Sequence, residues 1–149
     1  MTGPAINGNG ASAFTMKMIH GVQVGAHFSV GVGFEHYPDF SMVPVFLDVR
    51  TYLLGDGLTP FLYFDAGYSE SYRSRLSDAG GGGLVINGGI GFSIPVGGVS
   101  SILVDFGDKY QQKGYAGSYQ VGGPYYYYDQ YYLGIVSYNF FVTTIGISF

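Results

Sequence analysis

The chain has 149 residues, enough for one domain and too few for two of ordinary size. Only 11% of them are charged against 47% hydrophobic and 18% aromatic, whereas soluble domains carry about a quarter charged residues. Six Lys and Arg in a chain of net charge −4 offer no cationic face for nucleic acid.

No apolar run approaches the roughly 18 residues that a spanning helix needs, so a membrane reading requires strands closed into a barrel. In chain order, residues 1–11 (MTGPAINGNGA) are too polar and Gly-rich to predict a good strand. From there period-2 alternation takes over. Phe14, Met16, Met18, Val22 and Val24 alternate with Thr15, Lys17, Gly21 and Gln23. Phe28, Val30, Val32 and Phe34 alternate with Ser29, Gly31, Gly33 and Glu35. Val43, Val45, Leu47, Val49 and Leu53 oppose Pro44, Phe46, Asp48, Arg50 and Tyr52. Pro60, Leu62, Phe64, Ala66 and Tyr68 oppose Phe61, Tyr63, Asp65 and Gly67. Leu84, Ile86, Ile90, Phe92 and Ile94 oppose Asn87, Gly89, Gly91 and Ser93; Ile102, Val104 and Phe106 oppose Ser101, Asp105 and Gly107. The last run sets Phe141, Ile145, Ile147 and Phe149 against Thr144, Gly146 and Ser148. These are seven clear strands of about the ten residues that a tilted membrane strand needs.

A soluble β-sandwich or lipocalin-like barrel also alternates, but it turns charge outward. Here the polar faces hold Gly, Ser and single charges, which suits a narrow interior. The expected fold is all-β: a transmembrane antiparallel up-and-down β-barrel of about eight strands, one domain over 1–149, in the bacterial outer membrane. Short turns near Gly25-Ala26, Gly55-Asp56-Gly57 and Pro95-Val96-Gly97-Gly98 would be periplasmic. The other end would carry Pro38-Asp39-Phe40, residues 70–82 and a long loop over 111–138. Bacterial single-chain barrels have even strand numbers. Seven strands therefore imply a missing N-terminal segment, an irregular N-terminal strand, or pairing with another chain. The start, Met1-Thr2-Gly3-Pro4, shows no signal peptide, which such a protein needs.

Lys17, Glu35, Asp48, Arg50, Asp65, Asp105 and Lys109 fall on the predicted inward face. About eight strands enclose just enough room for side chains. The set therefore reads as a paired electrostatic core rather than an ion path or catalytic cluster, with Arg50 expected to reach across to Asp65 or Glu35. His20 and His36 take the lipid-facing parity, and neither they nor His27 has a Ser or carboxylate partner in sequence. Neither a metal set nor a cofactor motif is visible, and the run Gly80-Gly81-Gly82-Gly83 lacks the Lys and helix of a phosphate loop. Tyr125, Tyr126, Tyr127, Tyr128, Tyr131 and Tyr132 read either as an extracellular contact surface or as an aromatic girdle.

The segments FTMKMIHGVQV, HFSVGVGFEHY, VPVFLDVRTYLL, TPFLYFDAGYS and the closing TTIGISF together resemble the small outer-membrane β-barrel family common in Bacteroidota. The likeness runs from about Phe14 to Lys113 and over the last ten residues. It implies the fold and the location, and Phe149 looks like the signal read by the barrel-assembly machinery; it implies no defined activity. The expected role is a non-enzymatic structural or accessory barrel. Its partners would be outer-membrane lipid, the assembly machinery and another outer-membrane protein. A narrow pore and a lipid-modifying enzyme are the alternatives.

Overall fold

The computed structural model describes residues 2–7, 12–36, 42–54, 57–71, 81–97, 100–123 and 126–148. The chain is all-β. Seven strands form one antiparallel up-and-down sheet: β2 (Ser12–Val24), β3 (Phe28–His36), β4 (Met42–Tyr52), β5 (Thr59–Ser71), β6 (Gly83–Gly97), β7 (Ser100–Gly123) and β8 (Tyr126–Ser148). Each pairs with its sequence neighbour, which is the pairing that short connections impose.

An additional strand, β1 (Thr2–Asn7), lies ahead of them. It pairs with β2 from Thr2↔Met16 to Ile6↔Ser12, and with β8 from Thr2↔Ile145 to Asn7↔Phe140. The expectation that residues 1–11 supply no good strand is corrected here. Strand formation depends more on neighbours than on intrinsic preference, and β1 has a neighbour on each side. Its polar composition still shows in the ladder. Gly3 and Pro4 have register partners on β2 but none on β8, where Pro4 has no N–H to give.

A second expectation also fails. Residues 111–138 form no long loop; the described part belongs to the two longest strands. Each described residue of β7 from Ser101 to Gly123 has a register partner on β8. Beyond Gly114, whose N–H donates to Gly81 O at 3.0 Å, β7 and β8 pair only with each other among the described residues. They run from Tyr115↔Gly134 to Gly123↔Tyr126. At about 3.3 Å per residue, positions 115–123 make a hairpin roughly 30 Å long. Likewise Pro95 and Gly97, expected in a turn, end β6, with a register shift between them.

The polarity of the two faces is inverted relative to a soluble protein. The exposed face carries Met18 (62% exposed), Val22, Val32, Leu47, Phe64, Ile90, Phe141 and Ile145. The buried face carries Lys17, Glu35, Asp48, Arg50, Asp65, Asn87, Asp105 and Lys109, each at 5% exposure or less. Glycines on that face make room for rings: a methyl added at Gly33 would collide with Phe46, and one at Gly91 with Phe61. At the turn end of β2, Gly25 takes φ 70°, a conformation that costs glycine nothing and most residues a good deal.

Candidate functional site

All seven charges assigned to the inward face are buried. Their partners follow from reach. Lys17 on β2 donates from Nζ to Asp65 Oδ2 on β5 at 2.5 Å. Lys109 on β7 pairs with Glu35 on β3. Neither pair joins hydrogen-bonded neighbours, so both cross the space around which the sheet curls. The long lysine side chains span that width.

Arg50 does something else. Its Nε donates to Asp48 Oδ1 and Oδ2 at 3.0 and 3.1 Å, within its own strand. The expected pairing of Arg50 with Asp65 or Glu35 is therefore corrected, since the two lysines already hold those carboxylates. Asp48 and Arg50 stand two apart on one face, where a folded-back Arg reaches its neighbour without crossing. The guanidinium carbon sits 5.1 Å from the Phe61 ring centroid and 6.0 Å from that of Tyr63, within cation–π range. Asp105 has no ion-pair partner among the described residues and stands opposite Thr144 in the β7–β8 register.

Around these pairs lie groups that the sequence reading had not singled out. Asn87 donates from Nδ2 to Asp65 Oδ2 at 2.9 Å and accepts from the Tyr63 hydroxyl at 3.3 Å. Its inward parity was visible, but its facing partner depends on register. Lys17 Nζ also lies 4.9 Å from the Phe46 ring centroid. Nearer the loop end, Gln111 Nε2 points to Met42 Sδ at 3.5 Å, beside buried Val85. Paired charges and rings thus fill the middle of the buried face.

Toward the short-turn end the enclosed space opens into a cavity of about 1110 Å³. Its lining includes Gln23, Ser29, Tyr52, Thr59, Ser93 and Ser101, with Lys17, Asp48 and Arg50 among the charged residues. His27 serves that rim structurally: its Nδ1 lies 3.0 Å from Tyr52 O, and its own carbonyl accepts from Tyr52 N–H at 2.8 Å. His20 is exposed and His36 half-buried. Among the described residues no group of three or more His, Asp and Glu is placed to hold a metal.

Of the tyrosine cluster, Tyr126, Tyr127, Tyr128, Tyr131 and Tyr132 lie in β8, paired with Gly123, Gly122, Val121, Ser118 and Gly117 of β7. They are in a strand, not a loop. Tyr125 and Phe149 lie outside the described residues. No family model, curated protein or solved structure matches this chain.

Proposed function

We propose that the chain forms a closed eight-stranded barrel in the bacterial outer membrane, where it acts as a non-enzymatic structural or accessory subunit of a larger complex. One observation carries the membrane part: exposed Met18, Val22, Leu47, Phe64, Ile90 and Ile145 surround buried Lys17, Glu35, Asp48, Arg50, Asp65 and Lys109. In water that arrangement would hydrate apolar side chains while desolvating charges, two unfavourable steps at once. In a bilayer the apolar side chains meet lipid instead of water, and the charges, paired on the inner face, are kept away from the acyl chains. The nine residues of β3 and eleven of β4 match the tilted length that crosses the hydrocarbon, and the pairing of β1 with both β2 and β8 supports closure.

Membership of the small outer-membrane barrel family of Bacteroidota belongs to the same proposal and rests on the order of the sequence segments. So does reading of the C-terminal strand by the assembly machinery. The layer of paired charges and rings favours an accessory role over a pore, and the scattered histidines give no nucleophile–base pair for lipid chemistry. Membrane fractionation followed by mild-detergent purification tests the reading. The protein is expected in the outer membrane, β-rich in detergent and shifted on gels by boiling, with an outer-membrane protein co-purifying. A folded monomer in buffer without detergent refutes the membrane part; a pure outer-membrane barrel with nothing bound refutes the accessory role.

A further inference from the structure

The buried charges leave one base half used and one acid not used at all. Arg50 engages Asp48 through Nε alone; its two terminal nitrogens are buried, with no hydrogen-bond partner among the described residues. Both carboxylate oxygens of Asp105, which is 1% exposed, are in the same condition. Lys17 and Lys109 are committed elsewhere, to Asp65 and Glu35. A guanidinium presents a planar fork of N–H donors, so a contact through Nε leaves its bidentate end open.

The register brings that open end toward Asp105. Phe61 on β5, Gly91 on β6 and Asp105 on β7 are successive partners across the sheet. The guanidinium carbon of Arg50 stands 5.1 Å from the Phe61 ring centroid, so the head already reaches from β4 over a ring of β5. Phe61 in turn leans across β6, where a methyl added at Gly91 would meet the end of its ring. On the inward side there, β6 places only Gly89 and Gly91, and so interposes no side chain before β7. Arg50 and Asp105 act on each other electrostatically across this space.

We propose that Arg50 is a two-position strap. In the arrangement seen, Nε holds Asp48 within β4. In the second, the terminal nitrogens seat on the two oxygens of Asp105, and the side chain ties β4 to β7 across the interior. That tie is a further cross-connection beside Lys17–Asp65 and Lys109–Glu35. Asp48 lines the cavity, where water replaces the hydrogen bonds it gives up; Asp105 is not among the lining residues and gains more from the guanidinium. The base stays paired in both arrangements, which avoids the cost of a stranded buried charge. How firmly β4 is held to β7 then depends on which acid Arg50 engages.

The test combines Asp48→Asn and Asp105→Asn, singly and together, in the full chain, with urea unfolding in micelles followed by circular dichroism. Each single change should shift the unfolding equilibrium by less than about tenfold, because Arg50 moves to the remaining carboxylate. The double variant strands the guanidinium and should lose roughly a hundredfold more than the product of the single losses. If Arg50 serves Asp48 alone, Asp48→Asn carries the large loss by itself, and Asp105→Asn stabilises by removing an unpaired buried carboxylate. That pattern, additive losses, or an Asp48→Asn chain that does not fold overturns the strap. A double variant that fails to fold while both singles fold supports it. The second readout is proton exchange at the Arg50 guanidinium, seen by NMR with isotope-labelled arginine and assigned by its loss in Arg50→Lys. Exchange should stay slow in both single variants and quicken about tenfold or more in the double. Fast exchange in Asp48→Asn overturns the proposal, because Asp105 then gives no second seat. The strap does not rest on the membrane reading: a chain that folds in plain buffer takes the same cycle there.

Discussion

Replacing Arg50 by Ala is the most direct probe of the enclosed charges. Arg50 and Asp48 are each 2% exposed, and the guanidinium supplies the hydrogen bonds recorded at the Asp48 carboxylate. Removing one member of such a pair costs about 3–5 kcal/mol, because the other is left charged without its partner. The ring contacts with Phe61 and Tyr63 are lost as well, worth about 0.5–2 kcal/mol. Against this, both residues line the open cavity, so water can reach Asp48 once the side chain is gone. The net expectation is therefore the lower end, about 3 kcal/mol, or roughly a hundredfold in the unfolding equilibrium. Trp is absent, so urea unfolding in micelles is best followed by far-UV circular dichroism. Arg50→Ala is compared with Glu70→Gln, an exposed charge whose loss should change stability by no more than about 0.5 kcal/mol. Arg50→Ala together with Asp48→Ala should recover part of the loss, since no unpaired charge remains. Equal midpoints for Arg50→Ala and Glu70→Gln would refute the enclosure of the guanidinium.

The remaining expectations concern other parts of the same architecture. Lys17→Met and Asp65→Leu should each destabilise, and the double variant should cost less than their sum by about 0.5–3 kcal/mol in the same unfolding assay. Gly33→Val should lower the fraction that folds into micelles, read from the gel shift, because its side chain meets the Phe46 ring; an exposed-face change such as Val32→Ile should not. Replacing Tyr126, Tyr128 and Tyr131 by Ser should leave the sheet folded but release any co-purified partner, as mass spectrometry of the detergent extract would show. If the proposed barrel holds, planar-bilayer recording of the pure protein should show no steady conductance, because the crossing ion pairs and rings fill the space around which the sheet curls.

The sequence made one feature of this fold readable and hid another. Alternation is a local property, so the parity of Met18 against Lys17 or Leu47 against Asp48 carries over directly into exposed and buried faces. Pairing is not local. Which carboxylate Lys17 reaches depends on how far the sheet curls, and no spacing within β2 encodes the distance to β5. The same holds for β1, where neither Gly3 nor Pro4 favours a strand and two neighbouring edges decide the outcome. It holds again for β7 and β8. The segment 111–138 reads as a loop taken alone, and its described residues become ladder positions once the partner strand is present. The inward charge set was legible for the first reason, and its wiring was not for the second.

The arrangement of charge also bears on where activity can reside. The buried set holds three bases (Lys17, Arg50, Lys109) and four acids (Glu35, Asp48, Asp65, Asp105), and the three bases are each engaged by an acid. A binding site for a charged ligand among them would have to break a pair and leave a partner charged in a desolvated place. Two of the three pairs cross between non-adjacent strands, so breaking either also removes a tie between them. The middle of the buried face is thus committed to holding the sheet's own shape. What remains to engage other molecules, among the described residues, is the hairpin of β7 and β8, which runs roughly 30 Å past the hydrogen bond from Gly114 N–H to Gly81 O.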